Sequence, residues 1–338
     1  MCTDFLIAAT DNTYVNGRSM EFGIDLKSQL MAHAPGEKLQ SHAPWDRPGL
    51  SWTVQYGYVG MTVFGTSNLV DGMNTQGLSI GSLWLPGSSY PAVTQADQAV
   101  ALIDFPSWVL GNCATVGDVQ TALESQKVQV WEGNLLDKLL PLHFPIHDAQ
   151  GNSIVVEFWD KQVKVYTNPV AVLTNDPPFP FPLANLGNYA GLTPWDAQPV
   201  KFGQQKFKPS GHGSGMMGLP GDSLPTSRFI RAAYLKEYAQ PPTNAATACN
   251  LAFHILNDVD IPVGTSRSKN LVGHQEDDYT QWTVVKDLTN KILYTRFYGN
   301  MLVYSVNLST LDFSSAAGKQ FPVPSSPTSI DLTQQMNS

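Results

Sequence analysis

The sequence predicts an α+β fold: two antiparallel sheets stacked face to face, with helices outside them. Three observations predict it. Strand-like and helix-like segments come in blocks instead of alternating singly, which disfavours a doubly wound parallel sheet. The apolar period switches between two and about 3.6 at the block boundaries. The 27 glycines and 24 prolines among 338 residues supply the turns of a β-rich body.

Taken in order, residues 3–10 and 14–20 flank the turn signal "DNT" and read as a hairpin that starts at the second residue. Residues 52–65 and 76–85 read as further strands, with Gly77 and Gly81 leaving room for close approach. The spacing predicts helices over 95–111, broken or kinked by Pro106, and over 116–125. Strands return at 153–159 and 162–167, joined by a hairpin at Asp160-Lys161. Helices follow at 226–239 and 244–257, then strands at 282–288 and 291–306. The Pro/Ser-rich stretch from about 319 to 338 reads as an extended arm on a single domain spanning 2–338. There is no internal repeat.

Composition narrows the function. At 14% charged and 42% hydrophobic, the chain can bury a large core. A net charge of −8 with no Lys/Arg run argues against nucleic acid as a partner. No apolar run is long enough for a membrane helix, and no signal peptide is visible. As written the chain reads as cytoplasmic; a leader replaced by Met1 would make it periplasmic or secreted. Three sparse cysteines, Cys2, Cys113 and Cys249, do not make a disulfide framework. The histidines form no metal-ligand cluster, so no metal and no cofactor is expected. His212 lies in a Gly-rich loop, and His254 reads as a packed helix residue. "GHGSGMMG" (211–218) contains a formal dinucleotide fingerprint, but Pro220 and Gly221 forbid the helix that such a site needs.

Four positions draw attention for chemistry. Cys2 follows Met1 directly; once Met1 is trimmed, one residue carries both a thiol and a free α-amine. The plain alternative is an incidental cysteine at a loosely constrained terminus. Arg18 sits in a strand among apolar neighbours and needs an anion, for which Glu21 is a candidate. Arg228 lies near the start of a helix that Pro225 opens, where a cation opposes the helix dipole. It is either a solvated arginine or one held beside a thiolate. Asn175 heads the Pro-dense "TNDPPFPFPLANL" and either caps a turn or aims an N–H at a carbonyl oxygen.

Cys2, "GRSME" (17–21), "DGMNTQGLSI" (71–80), "TNDPPF" (174–179), "GLPGDSLPTSRFIRAA" (218–233) and "FHILNDV" (253–259) follow the order and approximate spacing of the choloylglycine hydrolases, which include bile salt hydrolases and penicillin V acylases. The chain resembles that family over nearly its whole length. The resemblance implies a four-layer αββα N-terminal nucleophile hydrolase fold, cleavage of a linear amide C–N bond, and a homo-oligomer, by resemblance a tetramer. It makes Cys2 the nucleophile, Arg18 and Arg228 its flanking arginines, and Asn175 an oxyanion donor. Glu21 stands where the family usually has Asp. Trp84 stands where bile salt hydrolases typically have Asn and penicillin V acylases often have Tyr; its backbone N–H is the second oxyanion donor.

The chemistry fits these residue types. An α-amine titrates ordinarily at about 7.7–8.0 and a thiol at about 8.5, so the amine can take the thiol proton near neutrality. An apolar acyl pocket is expected from Met20, Phe22, Trp84, Leu135 and Leu139; the Leu-rich 135–142 reads equally well as a buried helix face. The partner is then a small-molecule amide with a bulky apolar acyl group. Two other readings stand beside this one: a papain-like pairing of Cys113 or Cys249 with a histidine, and a family member that binds ligand without turning it over.

Overall fold

The computed structural model of the chain describes residues 1–135, 138–269, 275–324 and 326–337. Two antiparallel sheets form its centre. The six-stranded sheet runs in the order Val172–Leu173, Cys2–Ala8, Tyr14–Phe22, Tyr279–Asp287, Ile292–Phe297, Asn300–Asn307. The nine-stranded sheet runs Gln162–Thr167, Ser153–Trp159, Leu142–His147, Ser79–Gly81, Leu69–Asn74, Tyr58–Thr62, Leu30–His33, Gln320–Phe321, and Leu83–Trp84 pairs alongside Leu142–His147. Helices Pro225–Tyr238 and Ala245–Asp258 pack on the six-stranded sheet, and helices Phe105–Asn112 and Val116–Glu124 cover the other. The architecture is helix, sheet, sheet, helix, as expected.

The burial follows from the layering. Cys2–Ala8 is buried along all but its last residue, because both faces of the strand are covered. Asn300–Asn307, at the sheet edge, alternates between more exposed and less exposed positions after the buried Asn300. The hairpin at Asp160-Lys161 forms with φ of 53° and 57°, the left-handed pair that a two-residue turn between twisted strands requires. Helix Val116–Glu124 opens on a reciprocal Thr115/Asp118 capping box, and Ala245–Asp258 opens on the Asn244 side chain.

Several boundaries differ from the sequence reading. Residues 95–111 are not one helix. A 3-10 turn (Ala96–Gln98), a strand (Ala99–Ala101) and a second 3-10 turn precede helix Phe105–Asn112. Pro106 begins that helix, in the first turn where its missing N–H costs nothing, and does not kink a longer one. Residues 52–65 divide into the end of Arg47–Thr53 and the strand Tyr58–Thr62. The described residues of the 135–142 stretch form no helix: Asn134–Leu135 pairs with Lys138–Leu139. His254 is exposed, not packed, because the buried face of its helix is carried by Ala248, Ala252, Ile255 and Leu256. His212 is also exposed and meets Asp196 at 2.7 Å. Beyond Phe321 there is no further strand among the described residues, and a short helix, Thr333–Met336, lies near the end.

Strand Tyr58–Thr62 approaches its neighbour so closely that a Cβ on Gly60 would lie 2.2 Å from the Asp71 carbonyl oxygen. Gly60→Ala is therefore expected to destabilise the protein by about 1–3 kcal/mol. A urea unfolding curve checks this: the midpoint should fall at constant slope.

Candidate active site

Cys2 begins the first strand and is 2% exposed. Its strand pairs antiparallel with Tyr14–Phe22, placing Cys2 opposite Met20 and Asp4 opposite Arg18. Its neighbours are set by this register. Arg18 Nη2 lies 3.6 Å from the sulfur, and Met20 Sδ lies 3.7 Å from it. A register shift between Met20 and Glu21 puts a bulge beside Cys2.

Arg18 is fully buried and is anchored from the other sheet. Nη1 donates to the Val70 carbonyl and to Asp71 Oδ2 (3.1 Å), and Nη2 donates to the Ser82 carbonyl at 2.5 Å. Asp71 also accepts from Lys286 Nζ at 2.8 Å on each oxygen. Glu21 is not the partner of Arg18; side chains an odd number of residues apart do not meet along a strand. Burial opposes the charge on Arg18, but the Cys2 sulfur and Asp71 outweigh it and push its pKa up. Gly81 makes the approach possible: a Cβ there would meet Arg18 Cδ at 3.2 Å and Nη1 at 3.3 Å.

On the other side, Arg228 Nη1 donates to the Cys2 carbonyl and to Thr3 Oγ1 (2.6 Å). Its Nη2 donates to Asn175 Oδ1 at 2.9 Å. The same Oδ1 accepts from the Cys2 N–H at 2.6 Å, and Asn175 Nδ2 donates to the Trp84 carbonyl at 2.8 Å. Two donors on Oδ1 fix which way the amide points and leave one Nδ2 hydrogen free of these contacts. Leu85 N–H donates to the Pro141 carbonyl, so ladder alternation turns the Trp84 N–H to the opposite side, where Asn175 sits.

Glu21 is buried, with Oε1 accepting from Thr280 Oγ1 at 2.9 Å and Oε2 without a hydrogen-bond partner. Burial pushes its carboxyl up, opposed by the Arg228 guanidinium and the N-terminal charge. With Met1 attached, the terminal amine donates to the Glu21 backbone carbonyl at 2.5 Å. Phe22 and Trp84 are half-buried and meet edge to face, ring centroids 5.7 Å apart. The side chains of Leu135 and Leu139 lie outside the described residues. The other two thiols are buried, and burial pushes Cys113 and Cys249 up to about 12.

The structure thus brings Cys2, Arg18, Met20, Asn175, Arg228 and Trp84 together, with Glu21 and Phe22 adjoining. Sequence reading missed Asp71, Lys286 and Thr280. The signal was available for two of them: Asp71 in "LVDGM" and Lys286 in "TVVKDL" are charges inside apolar strands. Among the described residues, no group of three or more His, Cys, Asp or Glu could hold a metal ion, and no helix is long and apolar enough to cross a membrane.

Two stacked antiparallel sheets between helical layers, with a buried cysteine opening the first strand, define an N-terminal nucleophile hydrolase. The chain belongs to the choloylglycine hydrolase family of linear amide C–N hydrolases, whose family model matches residues 2–321. It is 30% identical over 322 residues to the bile salt hydrolase/transferase of Clostridium perfringens, covering 91% of this chain and 93% of that protein. It is 25% identical over 346 residues to the penicillin V acylase of Pectobacterium atrosepticum, covering 94% of this chain and 83% of that one. Among solved structures, the R18L variant of conjugated bile acid hydrolase from Clostridium perfringens is similar with a TM-score of 0.83 at 27% identity, covering 98% and 99% of the two chains. The protein is an amidase of this family.

Replacing Asp71 by Asn would leave Arg18 and Lys286 as two buried cations with no carboxylate between them. Asp71→Asn is expected to cost about 3–5 kcal/mol, and Asp71→Asn/Lys286→Met to recover at least about 1 kcal/mol of it. Denaturant melts of the three proteins measure both. A single-variant loss below about 1 kcal/mol would show that the cluster is not holding the sheets.

The Glu21 carboxyl gives a pH prediction. Its pKa is raised in the fold, so its stabilising contribution is full below the unfolded value and is lost as pH rises through the folded pKa. The stability of wild type relative to Glu21→Gln should therefore decline from about pH 4 upward. Thermal melts of both proteins across this range test the sign.

Proposed function

We propose that the protein cleaves the amide between a bulky apolar acyl group and a small polar amine, using Cys2 as nucleophile and its own α-amine as base once Met1 is removed. The observation that carries this reading is the Asn175 side chain, which ties the Cys2 nitrogen, Arg228 and the Trp84 carbonyl into one hydrogen-bonded unit. The freed amine takes the thiol proton, and the sulfur attacks the substrate carbonyl. The oxyanion is held by the remaining Nδ2 hydrogen of Asn175 and the Trp84 N–H, each worth about 3–4 kcal/mol. The amine then protonates the leaving nitrogen, and water hydrolyses the thioester. Glu21, with an unpartnered buried oxygen beside the terminus, holds the amine.

Met20 and the Phe22–Trp84 pair form the acyl wall. Conjugated bile salts are the first substrates to expect from the relatives' names, followed by penicillin V; N-acyl homoserine lactones are added on the family resemblance alone. An indole offers apolar area and one N–H donor, so this wall favours flat or flexible acyl chains over a rigid hydroxylated steroid.

Cys2→Ala is expected to abolish turnover, and Cys113→Ala and Cys249→Ala to leave it. A variant that keeps Met1 should lose at least about a hundredfold in kcat even though its thiol is present. Full activity with Met1 confirmed by mass would assign the base to another group.

The acyl preference is read from kcat/KM for glycocholate, penicillin V and a long-chain acyl homoserine lactone, repeated with Trp84→Asn. Trp84→Asn should raise glycocholate relative to the other two. A wild-type preference for glycocholate of about a hundredfold, not raised by the substitution, would sink the role given to Trp84 but not the amidase assignment.

A further inference from the structure

The loop that carries Asn175 is tied to a helix where Thr174 Oγ1 donates to the Pro225 carbonyl at 2.9 Å, but it has few backbone donors of its own. Pro177 and Pro178 follow Asn175 closely and have no N–H to lace to a neighbour. Two fully buried side chains of the nine-stranded sheet take over that task. His143 Nδ1 lies 3.0 Å from Glu157 Oε1, and His143 Nε2 lies 3.0 Å from the Thr174 carbonyl, just before Asn175. Glu157 Oε1 also accepts the Phe179 N–H at 2.9 Å, just after the prolines. The pair therefore grips the loop at both ends. A carbonyl oxygen only accepts, so Nε2 carries a hydrogen and donates it to Thr174. His143 is also the ladder partner of Leu83, and Leu142 is the partner of Trp84. One short strand thus fixes the Trp84 backbone through its ladder and the Asn175 loop through a side chain.

We propose that His143 and Glu157 are positioning residues that set the distance between the two oxyanion donors. This rests on the oxyanion roles given above to Asn175 and Trp84. Neither side chain is placed in contact with the reacting atoms; both act through the loop and the strand.

The test separates acyl transfer, which forms an oxyanion at a carbonyl, from alkylation of the same thiol, which does not. On protein with a free Cys2 amine, the rate of Cys2 acylation by p-nitrophenyl hexanoate is compared with its rate of alkylation by iodoacetamide. His143→Gln is expected to slow acylation at least about tenfold and to leave alkylation within about twofold. In an Asn175→Ala background the same substitution should add no further loss of acylation. Glu157→Gln, which keeps an acceptor for Phe179, should give the same split to a smaller degree, and it carries the test if His143→Gln does not fold. Equal loss of both rates, undiminished acylation, or a full additional loss in the Asn175→Ala background would overturn the proposal. If Asn175→Ala itself leaves acylation intact, the oxyanion reading falls first and takes this inference with it.

Discussion

One carboxylate, Asp71, sits between two buried cations and joins the two sheets. Arg18 and Lys286 come from adjacent strands of the six-stranded sheet, and Asp71 comes from the nine-stranded one. All three side chains are fully buried. Desolvation of such a cluster consumes much of its Coulomb energy, so its value is not net stability. What it fixes is register. Arg18 is held by Asp71 and by the carbonyls of Val70 and Ser82, and only in that pose does it point Nη2 at the Cys2 sulfur. A second polar joint runs parallel to it: Asp4 on the first strand meets His147 of the other sheet at 2.7 Å, with Asn16 on its second oxygen. Cys2 is therefore positioned by interactions between sheets as much as by its own strand.

The opposite wall of the site depends on a different kind of constraint. Asn175 has no freedom to choose its orientation, because Arg228 and the Cys2 N–H both donate to its oxygen. Arg228 reaches this point from the first turns of helix Pro225–Tyr238, where its charge opposes the helix dipole. Burial adds to that cost and pushes the Arg228 pKa down; the Cys2 carbonyl, Thr3 and Asn175, which accept from it, and the charge of Glu21 nearby oppose it. A rule broken locally marks a residue of the candidate site here, as it does for Arg18 in its apolar strand.

Much of this was legible in the sequence, for identifiable reasons. The hairpin from Cys2, the Asp160-Lys161 turn and the two long helices carry strong local signals, and each formed where expected. Pro106 was misread because a proline inside an apolar run can start a helix as readily as end one. The Leu-rich 135–142 misled because short apolar runs do not distinguish helix from strand. At the site, Arg18 announced that it needed an anion, but the anion is distant in sequence and lies on the other sheet. No local spacing could have chosen Asp71 over Glu21. His143 and Glu157 lie on paired neighbouring strands of one sheet, but nothing local in the sequence showed that the proline loop packs against them.

Alkylation of the three thiols distinguishes Cys2 from Cys113 and Cys249 in one experiment. All three thiols are buried, but Cys2 lies 3.6 Å from the Arg18 guanidinium, whereas burial pushes the Cys113 and Cys249 thiols up to about 12. On protein with a free Cys2 amine, iodoacetamide is added in small excess near neutral pH. Residual amidase activity is then followed against the extent of modification at each cysteine by peptide mass. The account predicts that activity is lost in one-to-one proportion to carbamidomethylation of Cys2 while the other two stay unmodified. Activity that survives complete modification of Cys2, or that falls in step with Cys113 or Cys249 instead, would contradict it.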